Sequence, residues 1–71
     1  MNFTLIVQRG ENGWLVGQLA EMPAVITQGR NMEELRFMIR DGLELILEVE
    51  RESTLKRYEG EELTTELFDY P

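Results

Sequence analysis

The sequence predicts an α+β fold: a small, mostly antiparallel sheet in the order β-β-β-α-β, with one long helix packed on one of its faces. Three observations predict it. Apolar and polar residues alternate at period two near the start of the chain and again at 62–70. Turn residues rich in Gly, Asn and Pro separate short apolar runs between 10 and 29, and from residue 32 the apolar spacing becomes helical. Residues 1–71 read as a single domain, with no repeat, linker or low-complexity stretch.

The opening "NFTLIVQR" sets Phe3, Leu5 and Val7 against Asn2, Thr4, Ile6 and Gln8, the pattern of a strand with one strongly apolar face. "GENG" at 10–13 contains an Asn-Gly step and predicts a hairpin. "WLVGQLA" returns as the second strand, with Leu15 and Leu19 on one side and Trp14 and Val16 on the other. Both sheet faces therefore carry large apolar groups. "EMP" at 21–23 bends the chain, Pro23 suits the beginning of a strand because it has no N–H to give a ladder, and "AVITQ" reads as the third strand.

Gly29 is expected to adopt the positive φ of a strand-to-helix turn, and Asn31 to cap the helix through the N–H of Glu34. The Asn31 to Glu34 spacing is that of a capping box, and Glu33 and Glu34 sit at the positive end of the helix dipole. The helix is expected from Met32 to an end between Arg51 and Arg57, with Gly60 barring continuation. Met32, Leu35, Met38, Ile39, Leu43, Leu45, Ile46, Leu47 and Val49 fall in one apolar arc roughly 200° wide. Gly42 lies inside that arc, as a point of close approach to the sheet would. "ELTTELFDY" at 62–70 alternates again, Leu63 and Leu67 against Phe68 and Tyr70, and reads as a fourth strand.

Composition narrows the function. The 71 residues are 42% hydrophobic and 30% charged, the balance of a folded domain. A chain this short buries only about 60% of its unfolded surface. It has no cysteine, so no disulfide or thiolate metal site stabilises it, and a homodimer is the expected compensation. A net charge of −7 repels a phosphate backbone, so direct nucleic-acid binding is not expected, while the same charge suits a basic protein partner. No apolar run approaches the roughly 18 residues of a membrane span, and "MNFTLIVQRG" lacks the features of a signal peptide. A cytoplasmic location without membrane contact is expected.

Chemistry finds few groups to work with. There is no His and no Cys, and Ser53, the single serine, lies in "ERESTL" near the helix end, where a solvated hydroxyl is the simpler reading than a nucleophile. "GRNMEEL" lacks the Lys and second Gly of a phosphate loop. Glu44 and Glu48 lie four apart, a spacing shared by ordinary charged helix faces. No catalytic, cofactor or metal site is expected, and the chain does not read as an enzyme.

Two features point to partners instead. Phe37 lies opposite the apolar arc, in a stripe with Asp41, Glu44 and Glu48. An aromatic among carboxylates suits contact with a basic protein, the ring supplying buried area and the acids steering approach. The bland alternative is one exposed Phe on a solvated face, or one covered by the C-terminal segment. Trp14 and Val16 are the second feature, since burying a Trp is worth on the order of 4 to 6 kcal/mol as an upper bound. Either a second copy or a partner covers this side, a second copy making Trp14 and Val16 a dimer interface, or Trp14 lies flat across the hairpin beside Phe3 or Phe68.

The stretch "NGWLVGQLAEMPAVITQGRNMEELRFMIRDGLELILE" resembles the N-terminal domain of HicB-like antitoxins over roughly residues 1 to 50. Gly13-Trp14 stands for that family's Gly-aromatic step, Pro23 for its turn proline, Thr27-Gln28-Gly29 for its strand end and Glu33-Glu34 for its helix start, while Ala24 stands where a Gly is usual. The resemblance implies a partial ribonuclease H-like fold without nuclease carboxylates, and the role of neutralising a small basic, RNA-cleaving HicA-like toxin by direct contact. Many such antitoxins continue into a DNA-binding segment. The basic residues of one are absent here, so regulation through DNA is not expected. A homodimeric structural or regulatory module without a toxin is the alternative.

Overall fold

The computed structural model describes residues 2–70. Strands β1 (Leu5–Arg9), β2 (Leu15–Leu19) and β3 (Ile26–Gly29) form one antiparallel sheet in the order β1-β2-β3, and helix α1 (Met32–Arg57) follows. The α+β class and the single helix on one sheet face are as the sequence predicts. No helix among the described residues is long and apolar enough to cross a membrane.

Each connection has a local cause. Between β1 and β2 the chain turns through Glu11–Gly13, with Asn12 at φ 58° and Gly13 at φ 79°, the left-handed region that Asn tolerates and Gly enters freely. Gly10 N–H donates to the Trp14 carbonyl at 2.7 Å and closes the hairpin. Between β2 and β3 the corner is Pro23-Ala24: Val25 N–H donates to the Met22 carbonyl at 2.9 Å, and Leu19 N–H to the Val25 carbonyl at 3.1 Å. Pro23 thus occupies the turn and not the strand, where its fixed φ costs no ladder bond.

The register assigns the faces. Leu5 stands opposite Leu19, Val7 opposite Gly17, and Gly17 opposite Thr27, which places Leu5, Val7, Leu15, Gly17 and Leu19 on the helix side. The buried core is Leu19, Val25, Leu35 and Ile39, with Phe3, Leu5, Leu15, Met22, Met32, Leu43 and Ile46 packed around it. Leu35 has no exposed surface. A Cβ on Gly17 would lie 3.0 Å from both Leu35 methyls, so the glycine is what lets this leucine sit down on β2.

Gly29 works by the same principle. Its φ is not positive, contrary to the sequence expectation. A Cβ there would stand 2.7 Å from the Leu35 backbone nitrogen and 2.9 Å from its Cα, so the position is glycine because the first helical turn presses on the end of β3. Gly42 is the converse case: a Cβ would meet only Val25 Cγ1, at an ordinary 3.6 Å.

The helix start is capped as expected, with Asn31 Oδ1 accepting from Glu34 N–H at 2.8 Å. The reciprocal bond shifts by one residue, Glu34 Oε1 accepting from Arg30 N–H at 3.2 Å while Oε2 takes the Arg30 guanidinium. On the other side of the sheet, Glu21 accepts from the Thr4 N–H and hydroxyl and ties the start of β1 to the bend after β2. These bonds hold both carboxyls below their ordinary value of 4.5: Thr4 donation lowers Glu21, and Arg30 donation lowers Glu34.

The apolar arc is wider than the sheet covers: Met38, Leu45, Leu47 and Val49 belong to it yet are exposed, Met38 and Leu45 beside β3 and Leu47 and Val49 beyond the sheet. The expected fourth strand fails. Residues 62–70 form no strand among the described residues. The helix runs on to Arg57 and turns at Tyr58–Gly60, with Gly60 at φ 88°, so the tail begins far beyond the sheet that would pair with it.

Gly29→Ala is expected to destabilise the fold by about 1–3 kcal/mol through overpacking against helix backbone, and Gly42→Ala to stabilise it by about 0.5–1 kcal/mol through helix propensity, both read as urea midpoints. The two depressed carboxylates set the acid limb. The unfolded chain takes up their protons first as pH falls, so their contribution is complete above pH 4.5 and is lost as pH drops through the folded-state values. Urea midpoints followed against pH should show a flatter acid limb in the Glu21→Gln/Glu34→Gln variant.

Candidate functional site

Capping and burial aim the helix. With Leu35 and Ile39 driven into the sheet, the residues on the opposite side of α1 face outward, and Phe37, Asp41, Glu44 and Glu48 are all exposed. Phe37 retains 69% of its surface. The C-terminal segment does not cover it, because Leu63, Thr65 and Leu67 lie beside Arg51, Leu55 and Tyr58 at the far end of the helix.

The acidic stripe is one border of a larger surface. Asp41 also lines a shallow groove of about 210 Å³ between α1 and β3, together with Met38, Leu45 and Ile26. Met38, Leu45 and Ile26 each keep more than a third of their surface exposed. Carboxylates and apolar side chains therefore alternate across the outer helix face from Phe37 to Glu48, next to the free edge of β3. Apart from the Arg30–Glu34 pair, no ion pair is formed among the described residues, and these carboxylates are open to a cationic partner. The described residues bring no three His, Cys, Asp or Glu side chains together in an arrangement that would hold a metal ion.

Trp14 and Val16 lie elsewhere. Val16 stands opposite Gln8 and Gln28, and Gln18 opposite Ile6 and Ile26, so the sheet face away from the helix carries two rows, Gln-Val-Gln and Ile-Gln-Ile. Trp14, extended at φ −69° and ψ 150° just before β2, continues the alternation toward this face. Trp14 and Val16 are half-buried, whereas Ile6 and Ile26 are exposed. Phe3 packs with the core cluster and Phe68 is exposed, so neither covers this face.

Sequence reasoning identified the helix stripe and Trp14 with Val16, which form two separate surfaces. It missed Met38, Leu45 and Ile26 as neighbours of the stripe, having placed Met38 and Leu45 only in the apolar arc. It also missed that Ile6 and the three glutamines complete the open sheet face. A signal for the latter was present, since positions 6, 8, 16, 18, 26 and 28 are polar or β-branched throughout and none is charged.

A UPF0150 protein of Archaeoglobus fulgidus is 29% identical over 51 residues, which cover 72% of this chain and 74% of the relative. A UPF0150 protein of Synechocystis sp. is 38% identical over 53 residues, covering 73% of this chain and 77% of the relative. No family model matches the chain, and no solved structure matches it.

Proposed function

The chain belongs to the UPF0150 family, and from that premise we propose that it is a non-catalytic binding protein of the HicB-like antitoxin type, neutralising a small basic RNA-cleaving toxin by direct contact in the cytoplasm. One observation carries the reading: the outward face of α1 combines an exposed Phe37 with the unpaired carboxylates of Asp41, Glu44 and Glu48 and the apolar flank of Met38 and Leu45. A basic protein entering this face buries the aromatic and aliphatic groups while its cations meet the carboxylates. The acids raise the rate of encounter and the apolar groups slow dissociation.

The test is to isolate the tagged chain from its native lysate, identify what co-purifies, and assay that protein for RNA cleavage with and without the chain. One small basic ribonuclease, inhibited in stoichiometric amount, is expected. Phe37→Ala should weaken the complex by about tenfold or more through a faster off-rate, and Glu44→Lys/Glu48→Lys should lower the on-rate and its salt dependence. Unchanged affinity in both variants would remove this surface from the interface.

A second reading, a homodimeric module with no toxin, is favoured by the uncharged open sheet face around Trp14 and Val16. In that case Trp14→Ala should shift the chain toward monomer in sedimentation.

A further inference from the structure

Helix α1 packs chiefly on β3 and β2, which leaves an unfilled groove of about 300 Å³ between the helix and β1. Phe3, Leu5, Ile39 and Leu43 line it, and Arg36 and Arg40 flank it on the helix side. Beside it runs β1, an edge strand whose ladder is made with β2 alone. Unpaired strand edges next to apolar grooves accept an added strand, through backbone bonds and alternate side-chain pockets.

The chain carries a segment with matching chemistry. Residues 62–70 are not paired, and Leu67 and Phe68 keep 103% and 86% of their surface. Extended, this segment presents Leu63, Thr65, Leu67 and Asp69 on one side and Thr64, Glu66, Phe68 and Tyr70 on the other. The first set offers two leucines to an apolar floor and a carboxylate to an arginine rim. The second set would extend the open sheet face with aromatics next to Ile6.

The chain's own tail cannot lay its two leucines on that floor. Arg40 lies about 27 Å back along the helix from Tyr58 at 1.5 Å per residue. The turn at Tyr58–Gly60 closes with Glu61 N–H donating to the Tyr58 carbonyl, and from there Leu67 extends at most about 20 Å.

We propose that the groove and the β1 edge receive residues 62–70 of a second copy of this chain, reciprocally, so that each sheet gains its fourth strand from its partner. Arg36 and Arg40, which form no ion pair among the described residues, then meet the partner's Asp69. A reciprocal exchange of this kind closes on itself as a two-fold dimer and leaves no tail over. The contact involves neither the Phe37 stripe nor a toxin, and its outcome is independent of the co-purification test.

The natural absence of cysteine makes the contact directly readable. A chain carrying Val7→Cys is mixed with one carrying Thr65→Cys and treated with a short bismaleimide. A product joining the two different chains is expected. Its yield should fall about tenfold when Arg36→Glu/Arg40→Glu is added to the first chain. It should return when Asp69→Lys is added to the second. That rescue separates a lost contact from a misfolded chain. No mixed product, an equal yield with Gln28→Cys in place of Val7→Cys, a yield indifferent to the arginine reversals, or failure of the rescue would each overturn the assignment. A dilute chain carrying both cysteines that closes on itself would overturn it too, by giving the groove to its own tail.

Discussion

The seat of Leu35 on two glycines is the contact that the rest of the structure depends on. Gly17 leaves room for its side chain and Gly29 for its backbone, so the first turn of α1 sits closer to the sheet than any residue with a Cβ would allow. The cap at Asn31 fixes where the helix begins and this contact fixes how it is rotated. Together they decide which residues become core. They also decide what is left over, since a helix held against β2 and β3 does not fill the space above β1.

What is left over sorts by charge. On one flank of α1 the carboxylates of Asp41, Glu44 and Glu48 surround Phe37, and on the other Arg36 and Arg40 border an apolar groove. A chain with seven basic residues against fourteen acidic ones places two of the seven, four apart on the helix, beside an unfilled groove in its packing. The strand positions facing away from the helix, 6, 8, 16, 18, 26 and 28, carry no charge. Three surfaces of different chemistry therefore share one small body.

Much of the fold was legible in the sequence because it depends on short-range rules. Alternation marked the strands, Asn12-Gly13 marked the hairpin, and Asn31 with Glu34 marked the helix start within a residue. The failures involve distances between elements. Gly29 looked like a turn glycine because the sequence says nothing of how close the helix comes; Gly42 looked like a contact glycine for the same reason. Met38, Leu45, Leu47 and Val49 continue the periodicity of the core, yet periodicity records the face of a helix and not the width or length of the sheet beneath it. For the candidate surfaces, the stripe from Phe37 to Glu48 was visible on a helical wheel. The groove at Arg36 and Arg40 was not, since it exists only because β1 lies outside the shadow of the helix.

The overhang of α1 has a consequence for local stability. From Leu47 to Arg57 every residue of the helix is exposed, and no strand supports it. A helical segment of that length on its own is marginal in water, because its few turns gain too little from hydrogen bonding to offset the entropy of ordering them. Amide protons there should exchange by fraying, at a free energy well below that of global unfolding, while those around Leu35 exchange only when the whole domain opens. The molecule therefore has a rigid half and a yielding half on one continuous helix, and any partner that grips the yielding half contributes order as well as contact.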